Sequence, residues 1–229
     1  MYDWDDILIV GDSWCSKRSN YDHWPKLLFS ELTNNDNNEP RGKGYSGCAW
    51  WSIRKRLLAE LQIHVPKLLI ICHTDCYRIP NDYDKPITPA GAFSQKKHKQ
   101  FYDGHLYKAA ELYYTHLYSK EFHLWSEQQW FYELDYILEK YNIEKTIHLF
   151  GIPLRNKLFN FKNGITIKDP LARYFMRDTN SISWDNHMTP ENNHNLAYSL
   201  IDIIKKYPNN SVYEKELMSG GNNDIIKNI

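Results

Sequence analysis

Apolar residues along this chain fall into two patterns. Short, nearly unbroken runs occur at Ile7-Leu8-Ile9-Val10, at Leu68-Leu69-Ile70-Ile71-Cys72 and at Thr146-Ile147-His148-Leu149-Phe150. Runs of this length, bounded by polar residues, predict strands buried on both faces, the parallel-sheet kind. Between them the spacing changes to threes and fours. Leu27, Leu28, Phe29 and Leu32 mark one helix, with Pro25 near its first turn and Asp22 placed to cap it. Ala49, Trp50, Ile53, Leu57, Leu58 and Leu61 mark a second, opening at Ser46-Gly47-Cys48. A weak strand fits around Arg41 to Tyr45 and a short one at Gly164 to Ile167. Strand, helix, weak strand, helix, strand predicts a mostly parallel sheet of about five strands with helices on both faces.

The rhythm breaks between Cys76 and Gly104, where Pro80, Pro86, Pro89 and Gly91 accompany scattered aromatics. A connection this long in a compact domain marks a functional or disordered insertion, taken here as about 76–125. Two helices are predicted after the break, over His105 to Lys120 and Trp125 to Tyr141. Leu171 to Met176 reads as one or two helical turns. Thr189-Pro190-Glu191 supplies a cap, an N1 proline and a first-turn acid. The helix they open has Leu196, Ala197, Leu200, Ile201 and Ile204 on one face, and Pro208 ends it. One domain over 1–208 and a polar tail over 209–229 are the expectation.

Charge narrows the function classes. Lys plus Arg and Asp plus Glu number 28 each, so the formal net charge is zero and no nucleic-acid partner is indicated. The runs Arg54-Lys55-Arg56 and Lys96-Lys97-His98-Lys99 read as solvated faces. No segment has the roughly eighteen apolar residues of a membrane span. Asp3, Asp5 and Asp6 stand where a signal peptide would be basic, so a cytoplasmic location is expected. Abundant Asn, Lys, Ile and Tyr hint at an AT-rich source, such as a low-GC bacterium or a phage.

Candidate chemistry gathers at the strand ends. Gly11-Asp12-Ser13 follows the first strand directly, Tyr45-Ser46-Gly47 lies in the loop leading into the second helix, and His73-Thr74-Asp75 follows the next strand. Trp184-Asp185-Asn186-His187 precedes the last helix. In an open α/β sheet these loops share the carboxyl edge, where ligands bind. A serine becomes a nucleophile when a base takes its proton and an acceptor orients that base. Ser13, His187 and Asp185 can fill those roles. The Ser13 and Gly47 amides and the Thr74 hydroxyl are candidate oxyanion donors. Asp12, His73 and Asp75 are candidate supporting groups.

These blocks resemble the SGNH (GDSL-type) hydrolase family over roughly Ile7 to Tyr207. Gly11-Asp12-Ser13 matches the family's first block, Gly47 its second, Cys72-His73-Thr74-Asp75 its Gly-x-Asn-Asp block, and His187 its final histidine. Thr74 stands where the family has an asparagine, and Asp185 precedes His187 by two residues instead of three, with Trp184 in the usual place. The resemblance implies a flavodoxin-like three-layer α/β/α sandwich with a helical insertion. It also implies a serine esterase or deacylase without cofactor or metal, acting on a small ester or an acylated glycan. Self-association is left open, and a phage-encoded member fits the composition. Three alternatives stay open beside it. One is a catalytically weak SGNH-like binding module, and another is an acyltransferase. The third is a zinc site built from Cys15, Cys48, Cys72 and Cys76, although C-x-x-C spacing is missing, or a Cys15 nucleophile. Glu191 and His194 form a rival acid–histidine pair, expected on the exposed face of the last helix.

Overall fold

The computed structural model describes residues 2–16, 23–42, 44, 45, 47–80, 87–93, 104–152, 159–174 and 188–217. Its centre is a five-stranded, all-parallel sheet in the order β1 (Ile7–Gly11), β2 (Leu68–His73), β3 (Lys145–Phe150), β4 (Ile165–Ile167) and β5 (Val212–Tyr213). Ile7 pairs with Leu68 and Leu68 with Lys145, so β1 and β2 end level at Gly11 and Cys72.

Side chains alternate across this sheet with period two. Ile7, Ile9, Leu68, Ile70, Cys72, Ile147 and Leu149 face α1 (Trp24–Thr33) and α6 (Pro190–Lys206). Leu8, Val10, Leu69, Ile71 and Phe150 face α2 (Trp50–Ile63) and α5 (Lys120–Tyr141). The result is the three-layer α/β fold that the hydrophobic runs predict. Trp24 and Trp130 are both almost fully buried, one in each layer, and removing either ring would cost about 3–5 kcal/mol.

Local chemistry explains the helix boundaries. Thr189 caps α6 by accepting the Asn192 N–H at 2.9 Å, and Lys205 and Lys206 complement its last turn. All five residues expected on its apolar face are buried. Ser119 accepts the Phe122 N–H, so α5 begins at Lys120 and runs earlier than its periodicity suggests. Asn34 and Asn142 end α1 and α5 in the left-handed conformation.

Several expectations are corrected. The weak strand at Arg41 to Tyr45 reduces to two isolated parallel bridges, Leu8 to Arg41 and Gly11 to Gly44. Between them Gly42 adopts a φ of 77°, which breaks extended pairing. The first helix after the break runs only from Gly104 to Leu112, as α4, and gives way to a π-helical turn over Tyr113–Leu117. In the preceding insertion, Pro89–Phe93 forms a short α3. The tail does not begin at 209: Val212 and Tyr213 pair with Thr166 and Ile167, and Leu217 is buried in the α1/α6 core. The helix expected to open at Ser46-Gly47-Cys48 starts later, at Trp50 after Ala49, with Gly47 and Cys48 in the preceding loop. Asp22, Ser46 and Lys96 to Lys99 lie outside the described residues. No helix among the described residues is long and apolar enough to cross a membrane.

Candidate active site

The end of β1 turns on Asp12. Its carboxylate accepts the Trp14 N–H at 3.0 Å and so caps a short 3-10 turn, Ser13–Cys15, that carries the candidate nucleophile. Asp12 is 1% exposed. Burial raises its pKa, while Arg78, the Trp14 amide, Thr74 and Cys72 act in the opposite direction. Arg78 Nη1 stands 3.4 Å from Asp12 Oδ2 and donates to the Cys48 carbonyl at 3.0 Å. One guanidinium therefore ties the first block to the loop before α2.

Further bonds close that loop onto the first block. Tyr45 donates its amide N–H to the Gly11 carbonyl at 3.1 Å, and Cys48 donates its thiol to the same oxygen at 3.4 Å. Gly47 sits in this loop at a φ of 77° with open space where a Cβ would stand. From β2, the Cys72 thiol lies 3.7 Å from Asp12 Oδ1, and Thr74 comes one residue past the strand. The structure thus brings Asp12, Ser13, Gly47 and Thr74 to one edge of the sheet. Beyond β1 the chain continues to the Arg41–Gly44 bridges on one side, whereas β2 lies on the other. Such a reversal of strand order is where open α/β sheets bind ligands.

The surroundings of Thr74, a candidate oxyanion donor, and of the supporting candidates His73 and Asp75 are also defined. Thr74 Oγ1 is buried and lies against the Asp12 carboxylate without a partner at full hydrogen-bond geometry. It would have to rotate before donating to an oxyanion. His73 does not join the site. It comes one residue after Cys72, so the strand turns it to the opposite face, where its ring stacks on Phe150 and Phe161. Its Nε2 lies 3.1 Å from His148 Nδ1, and His148 Nε2 lies 2.8 Å from the Asn163 carbonyl. A carbonyl only accepts, so His148 Nε2 carries a proton and its Nδ1 accepts from His73. Burial lowers the pKa of both rings, that of His148 to about 3. Asp75 closes a turn by accepting the Tyr77 N–H at 3.1 Å.

Asp185 and His187 lie outside the described residues. Met188, the next residue in the chain, is described together with the network that holds it. Trp24 donates its indole N–H to the Trp14 carbonyl at 2.7 Å and its amide N–H to Asn193 Oδ1 at 2.9 Å. Asn193 in turn donates to the Thr189 carbonyl at 3.0 Å and the Met188 carbonyl at 3.5 Å. Met188 is wholly buried in the α1/α6 core. This buried relay runs from the Ser13 turn to the residue after His187. The rivals Glu191 and His194 are exposed on α6, as expected.

The cysteines serve the turn as small donors. Cys15 and Cys48 donate to the Asp12 and Gly11 carbonyls, each at 3.4 Å. Burial raises the Cys48 and Cys72 pKa values, so these thiols stay protonated. Among the described residues no three cysteine sulfurs gather within 4.8 Å; only Asp5, Asp6 and His64 make such a ligand set, at the opposite end of β1. Asp6 is already engaged by Lys67 at 2.8 Å.

Arg78, Asn193 and Trp24 went unassigned in the sequence. Their partners lie 66, 169 and 10 residues away, and no local spacing connects them. The run Arg54-Lys55-Arg56 is also no simple solvated face. Arg54 pairs with Glu133 through two bonds at 2.7 and 2.5 Å, and Arg56 covers the Tyr45 ring at 3.2 Å. No protein-family model matches this chain, and no curated protein or solved structure matches it either.

Proposed function

We propose that this chain is a serine-dependent ester hydrolase acting on a small ester or an acylated carbohydrate. Ser13 attacks the ester carbonyl carbon while His187 takes its proton, with Asp185 orienting the imidazole. The Ser13 and Gly47 amides face the developing oxyanion. Collapse of the tetrahedral adduct expels the alcohol, which receives the proton from His187. Water then adds to the acyl-enzyme by the same route and releases the acid. One observation carries this reading: the hydrogen-bonded relay from Trp14 through Trp24 and Asn193 to Met188. It supports a shared edge for the serine turn and the segment beginning directly after the candidate base.

A second reading is favoured by Thr74 and Arg78. The hydroxyl is buried beside Asp12, and the guanidinium is tied to Asp12 and Cys48, so one of the donors the family uses is not presented. That arrangement suits a binding module of the same fold. A fluorophosphonate probe separates the two. The hydrolase reading expects covalent labelling at Ser13 that disappears in Ser13→Ala and His187→Ala. Absence of labelling from roughly pH 6 to 9 favours the binding module.

A further inference from the structure

Beside the Ser13 edge, α2, the stretch after Asp75 and the start of α5 enclose a cavity of about 390 Å³. Its walls include Trp50, Trp51, Tyr113 and Phe122, with Lys55, Arg78 and His123 among them. Trp51 and Phe122 remain 40% and 56% exposed. Two tryptophan rings form a corner: Trp50 and Trp51 meet at 89° with centroids 5.7 Å apart, and Trp50 is backed by Trp130 at 19°. Trp130 covers one face of Trp50, and the Arg54 guanidinium lies over Trp51 at 4.9 Å from its centroid. The ring surface that remains, chiefly on exposed Trp51, is the apolar wall for one small ring-shaped ligand.

The polar groups of the lining are mainly of one sign. Lys55 and Arg78 are cations, and among the described residues no carboxylate lines the cavity. Arg78 uses Nη1 for Asp12 and Cys48, while its Nε has no partner among the described residues. The Tyr113 hydroxyl is fixed by His123 Nε2 at 2.8 Å, and His123 Nδ1 by the Cys76 carbonyl at 2.9 Å. Tyr113 opens the π-helical turn, a feature frequent at functional sites, and the next tyrosine, Tyr114, bonds instead to the Tyr77 and Ile87 carbonyls.

We infer that this cavity binds a sugar carrying an anionic group, a carboxylate or a phosphate. The ring lies in the Trp50–Trp51 corner and the anion faces Lys55 and Arg78. Because Arg78 also holds Asp12, the ligand would sit one side chain from the Ser13 turn. The inference deepens the hydrolase reading by naming the substrate class, yet binding here does not require Ser13 to react.

The test uses the full chain with Ser13→Ala, titrated by calorimetry and tryptophan fluorescence. The probes are a glucuronate-containing disaccharide, its all-glucose counterpart, glucose 6-phosphate and inorganic phosphate. Saturable binding of the uronate or the sugar phosphate is expected, at least about tenfold tighter than the neutral disaccharide and than phosphate alone. Which of the two binds tighter identifies the source of the anion. Trp51→Ala and Lys55→Gln change exposed side chains and should each weaken binding by about fivefold or more. No saturable binding of either acidic sugar overturns the inference. So do equal affinity for the neutral disaccharide, equal affinity for inorganic phosphate, or binding unmoved by both substitutions. Failure of fluorophosphonate labelling would remove the hydrolase reading and leave this result standing.

Discussion

Asn193 on α6 accepts the backbone N–H of Trp24 at 2.9 Å, at the point where α1 begins without a capping side chain of its own. His23 occupies the cap position and makes no cap bond. A residue 169 positions away therefore does the work that Ser, Asp or Asn usually does locally. Asn193→Ala leaves a buried N–H unsatisfied and should cost about 1–3 kcal/mol in urea unfolding. The same substitution should diminish fluorophosphonate labelling of Ser13, because Trp24 also holds the Trp14 carbonyl. Wild-type stability in Asn193→Ala would show the bond to be incidental.

Acid should weaken the fold before carboxylates titrate. His73 and His148 are held below the ordinary histidine value of 6.5 by burial. The unfolded chain takes up protons near 6.5 and the folded chain does not. Stability is therefore complete above that value and falls as pH drops below it, down toward the folded-state values. Each ring contributes up to about 1.4 kcal/mol per pH unit within the window. Denaturant unfolding between roughly pH 7 and 5 should show this slope, and a His73→Leu/His148→Leu double variant should be flatter. Equal slopes in the two proteins would count against the assignment.

Two neighbouring glycines should respond differently to alanine. At Gly44 a Cβ would overlap the Asp12 carbonyl and come within 2.5 Å of the Cys15 carbonyl carbon and the Ser16 nitrogen. These are backbone atoms and cannot swing away, so Gly44→Ala should cost at least about 1–3 kcal/mol. Gly47 has room, and only its φ of 77° opposes a side chain. Gly47→Ala should cost about 1 kcal/mol, and Gly47→Asn less. Thermal melts of the three variants give the order directly.

Thr74→Val tests which way the hydroxyl works. A committed oxyanion donor contributes about 10²–10³ in kcat. With Oγ1 buried against Asp12, the expected loss in ester turnover is less than about tenfold. A larger fall, at unchanged KM and unchanged stability, would show that the side chain rotates into the site during turnover.

The fold was legible because strands buried on both faces need unbroken apolar runs. Ile7–Val10 and Leu68–Cys72 announce themselves, and Thr189-Pro190-Glu191 fixes a helix start by local chemistry alone. Residues whose roles depend on distant partners were not legible. Arg78 looks like any loop arginine until the fold carries Asp12 to it. Alternation across a strand could have separated His73 from Thr74, since its neighbour Cys72 faces α6; the motif drew both residues into one site. β5 has only two residues, too few for a period to register.

That two-residue strand has a consequence for the whole molecule. β4 is three residues long, and without a neighbour its open hydrogen-bonding row would invite another chain to dock alongside. Val212 and Tyr213 occupy that row, while Leu217 plugs the apolar layer beneath. What composition suggests is a dispensable appendage thus works as a guard strip. A protein shortened to Pro208 should stick to itself well before it unfolds.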